Sequence, residues 1–584
     1  MTETSRSRIL RVDLSAEHVE SEPIPEAWRR QFLGGKGLGA RYLYEEVSAG
    51  TDPLGPENAL LFLLGPVSGY LPGETRYGVV TKSPLTGAFL DSYGGGTVPE
   101  KLSGALDDHV GLLVTGEADR PVTIRVEDDD ATLEPATDLW GADAREVEAA
   151  FPDAGVACVG PPGEHAVKFA TIASDGGEHH AGRGGAGAVM GAKRLKALVV
   201  HGEQPEGLAD LREEYAGRLN RDALSQWFVT SETVETIDFA NEVGVLATRG
   251  WQESEFEGAD DIGIESVKEA ATGREREDDP VPGGFRVETD DSESVPRGAT
   301  AMTLGAGLGI GDFDAVAALG ETCDRLGVDV ISAGNAVAWA IRATEEGLVD
   351  RDIDFGDDEG ARQLIEEMAT RSTPLGDALA DGVESAAERF GGENLVPTIK
   401  GMEMPSYDPR EVVSQALAYG TSDRGACHRR SRPVETAVFE PDPDDPVDVA
   451  RNVVTEQNIR ATLWSLVADD FAGEALWETL GAEWLDAVGL SYTPAELHET
   501  GERIWNLTRL FNVREGFARV DDEVPEMLVQ TGDGAGLLTR DAYDDLLSAY
   551  YAVRGWDEDG VPTATTLDRL GLLETVDEET PVGK

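Results

Sequence analysis

The spacing of apolar residues divides the chain into two parts. Between residues 9 and 202, apolar residues form short runs that alternate with polar ones and are interrupted by glycine and proline. A period of two with frequent chain-breaking residues is typical of β-strands. We therefore predict a β-rich N-terminal part with a few inserted helices, whose clearest strands are residues 8–12, 60–64, 77–81 and 122–126.

Beyond residue 208 the apolar spacing changes to three or four, which predicts helices. The residues with this spacing are Phe313, Val316, Ala317, Gly320, Cys323 and Leu326, then Ile504, Leu507 and Phe511, then Tyr543, Leu546, Leu547, Tyr550 and Val553. A chain of 584 residues is expected to form two to four domains. We predict an α+β fold with a β-rich domain at 1–205 and two mostly helical domains at 206–400 and 401–584.

Residues 253–294 differ from both parts, because they are acidic and poor in large apolar side chains. The stretches 274–279 and 290–294 are the most polar. We interpret this acidic segment as an exposed loop or weakly ordered insertion in the second domain.

The net charge of −63 excludes two classes of partner. Neither nucleic acid nor an anionic membrane surface attracts such a protein. Only nine of the 49 basic residues are lysines, and this composition resembles that of haloarchaeal cytoplasmic proteins with acidic, solvated surfaces. No apolar stretch approaches the ~20 residues of a membrane span, so we expect a cytoplasmic protein.

The chain has three cysteines, Cys158, Cys323 and Cys427, and they lie far apart in sequence. Three thiols without a Cys-x-x-Cys pair form neither a disulfide framework nor a thiolate-ligated zinc site or four-cysteine iron–sulfur cluster. We predict that Cys323 is a packed helical residue.

Glycine clusters at 34–39, 94–96 and 181–188 are candidates for anion binding. Glycine lets successive amide groups face an anion, and a nearby arginine neutralises the charge. The alternative is that these glycines form tight turns. Residues 34–39 imitate a dinucleotide-binding fingerprint, but they lack the strand and acidic residue that NAD binding requires.

The order of several motifs is more specific than any one of them. They are Gly-Gly-Lys-Gly at 34–37, Lys-Ser-Pro-Leu-Thr-Gly at 82–87, the glycine-rich run at 181–191, Thr-Ser-Asp-Arg-Gly-Ala-Cys-His at 421–428, and the segments 501–516 and 550–557. In this arrangement the chain resembles the aldehyde ferredoxin oxidoreductase family over nearly its whole length.

The resemblance implies a tungsten ion, or molybdenum, held by two pterins, with Mg²⁺ as a further component. The β-rich domain would form a base beneath the pterins, and the helical domains would cover them. The positions that match the family's pterin and phosphate contacts are Arg76, Tyr93, Gly95, Arg183, Gly184 and Ala186, with Arg424 and Arg430 as further candidates. Arginine suits phosphate groups for its charge and its several donors.

Two aspartate motifs of the family would accept hydrogen bonds from the pterin rings. The first, at 324–329, supplies Asp324, Val328 and Asp329, and the second, at 470–475, supplies Asp470 and Gly473. The alternative for each motif is a set of surface aspartates at helix ends.

The chain departs from the family at its iron–sulfur cluster and at its general base. The family's Cys-x-x-Cys-x-x-x-Cys loop corresponds to residues 278–285, which contain no cysteine, and its fourth cysteine corresponds to Ala475. The family's glutamate is replaced by Ala299. His428 remains as a candidate acid, base or substrate-orienting residue, and the alternative is a partly buried structural histidine.

The resemblance implies oxidation of a small aldehyde to a carboxylic acid, with ferredoxin or another acceptor taking the electrons, and a homodimer. Because the [4Fe–4S] ligands are absent, we expect an altered electron exit. The alternative is a catalytically silent homologue that binds pterin or a partner subunit.

Overall fold

The computed structural model describes residues 6–289, 292–437, 442–443, 445–468, 475–530 and 538–584. Both parts of the chain have the predicted character. The first part is built on two six-stranded sheets, and the rest is mostly helical. The α+β fold class is therefore confirmed.

The first sheet has the strand order β2-β1-β6-β3-β4-β5. Only β1 and β6 run parallel, and the other neighbours are antiparallel. Its strands are β1 (Arg8–Asp13), β2 (His18–Pro23), β3 (Leu60–Leu63), β4 (Tyr77–Lys82), β5 (Phe89–Gly94) and β6 (His109–Thr115).

The second sheet has the order β11-β10-β9-β12-β7-β8, and only β7 and β12 run parallel. Its apolar face packs on that of the first sheet, where Phe62 and Leu112 share one core with Ile124 and Leu198. Its strands are β7 (Val122–Glu127), β8 (Asp130–Pro135), β9 (Gly155–Cys158), β10 (Ile172–Ser174), β11 (His179–Ala181) and β12 (Leu195–Val200).

Six helices belong to this first part, and α2 covers the outer face of the first sheet. Gly39 on α2 allows close packing, since a Cβ there would lie 2.5 Å from Val80. The helices are α1 (Glu26–Phe32), α2 (Gly35–Glu46), α3 (Thr97–Ala105), α4 (Ala144–Ala149), α5 (Pro161–Glu164) and α6 (Ala186–Ala192).

The middle of the chain carries helices, and apolar residues of most of them join the largest core. They are α7 (Ala209–Leu219), α8 (Ala223–Ser231), α9 (Thr236–Glu242), α10 (Ala259–Ile262), α11 (Ile264–Ala270), α12 (Gly298–Thr300), α13 (Phe313–Leu326), α14 (Val330–Glu345), α15 (Asp358–Thr370), α16 (Pro374–Leu379) and α17 (Val383–Phe390). A π-helical turn, Ala301–Gly305, follows α12. Cys323 is fully buried on α13, as predicted.

The last part contains α18 (Val413–Gly420), α19 (Val434–Ala437), α20 (Pro446–Leu466), α21 (Ala482–Ala487), α22 (Pro494–Arg514), α23 (Arg540–Arg554) and α24 (Ala564–Arg569). Helices α20, α22 and α23 pack together, and α2 joins them. A two-stranded sheet of β16 (Thr398–Ile399) and β17 (Met402–Glu403) precedes these helices. Among the described residues, no single helix has the length and apolar character of a membrane span; one bent pair, Gly298–Leu308 with Phe313–Leu326, meets those criteria jointly across a 116° bend.

The prediction for the acidic segment is wrong for its described residues. This segment contains α10 and α11 and a three-stranded sheet of β13 (Ala271–Arg274), β14 (Phe285–Glu288) and β15 (Glu293–Ser294). Phe285 and Val287 are buried on one face of β14. A few well-placed apolar residues therefore anchor a segment whose overall composition is that of a solvated loop.

Candidate active site

A cavity of about 690 Å³ lies between the β-rich part and the helices. Strand β5, the start of β11, the turn between α8 and α9, and the acidic segment all contribute to its wall. The predicted site residues in this wall are Arg76, Tyr93, Arg183, Asp324, Val328, Asp329, Arg424, His428 and Arg430.

An aromatic pair spans the two halves of the protein in this wall. Tyr93 on β5 stacks on Trp464 of α20 with 3.9 Å between ring centroids and 23° between planes. The Tyr93 hydroxyl donates to Asp91 Oδ2 at 2.7 Å. This contact fixes the ring that faces the cavity.

Behind Tyr93 lies a buried charge cluster, which we call the lysine cluster and define as Lys36, Asp91, Asp423 and Arg430. Lys36 Nζ lies 3.1 Å from Asp91 and 2.5 Å from Asp423, and Arg430 pairs with both aspartates. Burial would raise the pKa of Asp91, but the charges of Arg430 and Lys36 outweigh burial and hold it far below its usual range. The cluster ties α2 and β5 to residues 423–430.

The first glycine cluster lies at the start of helix α2. Residues 35–39 are helical, and a Cβ on Gly35 would lie 2.4 Å from the carbonyl oxygen of Trp464. Glycine is required there because α2 approaches α20 closely. Close packing between helices, a role not considered from the sequence, therefore explains Gly35, and anion binding by residues 34–39 stays a prediction.

Arg183 connects the β-rich part to the helices on either side of the cavity. The Arg183 backbone adopts a left-handed conformation, with φ 66°. Its guanidinium donates to Asp329 Oδ2 at 3.3 Å and to the carbonyl oxygens of Ala426 and Glu403. These contacts hold three chain segments together, and a phosphate would have to share the same donors.

The first aspartate motif is a helix–turn–helix junction. Gly327 ends α13 in the left-handed conformation, and Asp329 begins α14 by accepting from the Ser332 amide at 2.9 Å. Asp324 lies 3.3 Å from His180 Nε2. Both aspartates are at helix ends, as the alternative interpretation expects, but they face the cavity rather than open surface.

Arg424 and Cys427 form a buried pair beside the cavity. Arg424 Nη2 donates to Cys427 Sγ at 3.0 Å, and Nη1 donates to the Asp91 carbonyl at 2.7 Å. Burial would raise the pKa of Cys427, but the charges of Arg424, Arg430 and Arg183 outweigh it and lower the pKa to about 7. The buried Nε of Arg424 has no hydrogen-bond partner within the described residues.

His428 lies in the cavity wall. Its ring centroid is 5.7 Å from that of Tyr407. Phe228 and Met302 line the same cavity, and so does Ala299 at the position of the family's glutamate. The imidazole therefore faces space that a small organic molecule could occupy.

The opposite wall contains residues for which no motif was identified. Arg76 Nη2 pairs with Glu74 Oε2 at 2.9 Å, and Glu74 in turn contacts His179. Glu275 and Arg297, from the acidic segment and just after it, continue this set of charges. The histidine pair at 179–180, directly before a glycine cluster, is a signal that could have indicated this wall.

Three predicted residues lie outside the cavity wall. Gly95 packs behind it, where a Cβ would lie 2.1 Å from Glu74 Oε1, and a Cβ on Gly184 would lie 2.6 Å from Leu90. Ala186 is fully buried at the start of α6. None of the three is among the residues that line the cavity, and their assignment as cofactor contacts stays a prediction. Asp470 and Gly473 lie outside the described residues.

Family models match both parts of the chain. The model for the N-terminal domain of aldehyde ferredoxin oxidoreductase matches residues 9–202, and the model for its domains 2 and 3 matches residues 210–572. The chain belongs to the aldehyde ferredoxin oxidoreductase family. As a member of this family it is an oxidoreductase.

Individual relatives cover almost the whole chain. The tungsten-containing aldehyde ferredoxin oxidoreductase of Pyrococcus furiosus is 33% identical, with 97% of this chain and 99% of the relative covered. That of Thermococcus kodakarensis is also 33% identical with the same coverage. The WOR-like subunit of an aliphatic sulfonate oxidoreductase from P. furiosus is 26% identical over 97% of each chain.

The fold is also that of a solved structure. The active-site complex BamBC of benzoyl coenzyme A reductase, in complex with 1,5-dienoyl-CoA, superposes with a TM-score of 0.83 over 98% of each chain, at 23% identity. This likeness concerns the fold alone.

The cavity suits the family's pterin cofactor. Its wall offers a buried arginine donor, Nε of Arg424, that has no partner among the described residues. It also has an open position at Gly182, where a Cβ would have no described atom nearer than 3.6 Å. Arg76 and Arg429 add positive charge, and Asp324 and Asp329 add acceptors. Phosphate groups and ring N–H groups require this combination.

The family's iron–sulfur cluster does not fit this chain. Cys158, Cys323 and Cys427 are all buried and lie on separate elements, and Ala475 offers no ligand. No group of three metal-ligating side chains was found among the described residues. A [4Fe–4S] cluster needs several converging thiolates.

Proposed function

We propose that the protein oxidises aldehydes to carboxylic acids in this cavity with a tungsten bispterin cofactor, or its molybdenum counterpart. The supporting observation is that Arg76 and Arg424, Asp324 and Asp329, and His428 all line one cavity in a chain of this family. The reaction converts an aldehyde and water into a carboxylic acid and releases two protons and two electrons. The bound metal would supply a two-electron redox centre.

In this proposal the chain's own residues bind, orient and exclude water. Arg76, Arg183, Arg424 and Arg430 provide positive charge for the cofactor phosphates, either directly or by positioning. Asp324 and Asp329 accept from the pterin rings. His428 orients the carbonyl oxygen or accepts a proton, and the apolar residues Phe228 and Met302 exclude bulk water.

The electron acceptor in this proposal is a one-electron carrier, ferredoxin or another, that approaches the cofactor without an intervening cluster. The proposal also retains the domain boundaries at 205 and 400, a Mg²⁺ ion with the cofactor, a homodimer and a cytoplasmic location in a halophile.

A second candidate function is a catalytically silent homologue that binds pterin or a partner subunit. Ala299 in the cavity wall and the absent cluster cysteines favour this alternative, because both remove groups that the family uses.

Turnover with two kinds of acceptor tests the proposal. Protein from its native cytoplasm, in molar KCl, should oxidise aldehydes with a small dye acceptor faster than with ferredoxin. His428→Gln should lower kcat about 10²-fold or more while the pterin content stays constant. The control is His18→Gln, whose imidazole is 65% exposed and lies 3.9 Å from Glu20. Absence of aldehyde turnover in pterin-loaded wild type would support the silent homologue.

A further inference from the structure

His179 is held between two buried carboxylates. Its Nδ1 lies 3.1 Å from Glu74 Oε1, and its Nε2 lies 3.1 Å from Glu275 Oε1. The three side chains are 6%, 14% and 3% exposed, in the order His179, Glu74 and Glu275. We call this arrangement the histidine bridge, and it joins the start of β11 to the acidic segment.

Arginines extend the histidine bridge at both ends. Glu275 Oε2 pairs with Arg297 Nη2 at 2.7 Å, and Glu74 Oε2 pairs with Arg76 Nη2 at 2.9 Å. Charges therefore alternate from Arg297, directly before α12, to Arg76 in the cavity wall. A buried series of alternating charges has little freedom to rearrange, because moving one member leaves its neighbours unpaired.

Glu275 also folds the acidic segment onto itself. Its carboxylate accepts from the amide of Gly284 at 2.8 Å, and its carbonyl oxygen accepts from the amide of Gly283 at 2.8 Å. Residues 275–284 include the stretch where the resemblance expects the cysteine loop. In this chain the carboxylate of Glu275 closes that stretch into a loop by accepting from the Gly284 amide.

We propose that His179 is a positioning residue that fastens the acidic segment to the start of β11 in the cavity wall and, through Glu74, holds Arg76 in that wall. The link between His179 and the acidic segment is independent of the proposed function. The role of Arg76 in binding the cofactor rests on that function.

The surroundings of His179 support a positively charged imidazole. Burial would lower its pKa, but the ion pairs with Glu275 and Glu74 outweigh burial and raise the pKa to about 9. The other charged groups near the bridge are Arg76, Arg276 and Arg297, which pair with its carboxylates, and Asp175, which contacts Gly96 beside the imidazole. The arginines stay charged across this pH range, so the imidazole is the member that titrates.

Amide hydrogen exchange in residues 275–288 tests the tie directly, with rates corrected for the intrinsic effect of pH. In the wild-type protein we expect protection at pH 7 that declines as the pH rises through about 9. His179→Gln should lose at least tenfold protection at pH 7, and Glu275→Gln should behave alike. His179→Arg, which keeps a positive charge between the carboxylates, should retain protection to pH 10.

The matched control is His109→Gln. His109 is also a buried histidine with two partners, Asp129 at 2.7 Å and Ser21 at 2.6 Å, but it lies outside the cavity wall. Its exchange pattern in 275–288 should equal that of the wild type. Strand β12 provides a fold check, since its amides should keep their protection in every variant.

The pterin content of the same preparations tests whether His179, through Glu74, keeps Arg76 in place in the cavity wall. We expect His179→Gln to retain less pterin than the wild type and His179→Arg to retain a similar amount. If His179→Gln keeps wild-type protection in 275–288, the proposed link to the acidic segment is overturned. If that protection falls while pterin content stays unchanged, the proposed role of His179 in holding Arg76 is overturned. Wild-type protein with no pterin would refute the proposed function, and the exchange data alone would then decide the tie.

Discussion

Two buried ionic clusters border the cavity, and they differ in the cations that hold them. In the lysine cluster, Lys36 and Arg430 neutralise two aspartates. In the histidine bridge, the central cation is the imidazole of His179 between two glutamates. Lysine and arginine ordinarily lose their charge only above pH 10, whereas histidine titrates near neutral pH. Both clusters therefore place cations between buried carboxylates, but only the histidine bridge has a central cation that ordinarily titrates near neutral pH.

The two clusters also differ in how their residues relate to the family motifs. The lysine cluster draws on motif residues, since Lys36 belongs to the Gly-Gly-Lys-Gly run and Asp423 and Arg430 belong to or follow the run at 421–428. The histidine bridge lies where the chain departs from the family, at the acidic segment. A position that lost its cysteine ligands is thus held by carboxylates and their partners.

The largest expected effect is on the melting temperature. It comes from the exposed acidic surface rather than from either buried cluster. The net charge of −63 resides mainly in carboxylates, and their mutual repulsion is unscreened in dilute salt. We expect the melting temperature to fall by ~10 °C or more between 3 M and 0.1 M KCl. Differential scanning calorimetry at several salt concentrations measures this. Equal melting temperatures would show that the acidic surface is not an adaptation to salt.

Removing the cation of the lysine cluster should have the next largest effect. Lys36→Met leaves Asp91 and Asp423 with less compensation in a fully buried site and should cost about 3–5 kcal/mol of unfolding free energy. Denaturant unfolding in molar KCl measures this loss. The control is Lys268→Met, whose exposed pair with Glu265 should contribute under ~1 kcal/mol. Similar losses in both variants would mean that the lysine cluster is not a stabilising element.

The histidine bridge should show the smallest effect, which appears in the wild type as a loss of stability at alkaline pH. The pKa of His179 is raised to about 9 in the folded protein, so the stabilisation from its charge is complete below about pH 6.5 and is lost as the pH rises through 9. We expect the wild type to lose roughly 1–3 kcal/mol between pH 7 and pH 10. The difference between wild type and His179→Gln should shrink over this range in denaturant titrations. A constant difference would contradict a titrating bridge.

Much of the fold could be predicted from local patterns. The apolar spacing from Phe313 to Leu326 coincides with α13, and the alternation at residues 77–81 lies within β4. These elements follow from short-range periodicity, which is present in the sequence itself. The acidic segment was misjudged because its anchors, Phe285 and Val287, are few among many polar residues.

The site was predictable only where a motif carries it. Asp329 and Arg183 belong to recognisable runs, and both line the cavity. Glu74, His179 and Glu275 belong to none, since they meet only after residues about 100 apart in sequence are folded together. Gly95, Gly184 and Ala186 show the converse, because they occupy motif positions but are not among the residues that line the cavity.

The central claim is that this chain holds a tungsten bispterin without an iron–sulfur cluster. Tungsten, molybdenum, iron and pterin should be quantified together on protein purified anaerobically from its native cells, by plasma mass spectrometry and pterin fluorescence after oxidation. The account predicts about one tungsten or molybdenum and two pterins per chain, with iron at background. Stoichiometric iron, or protein that contains neither metal nor pterin, would contradict it.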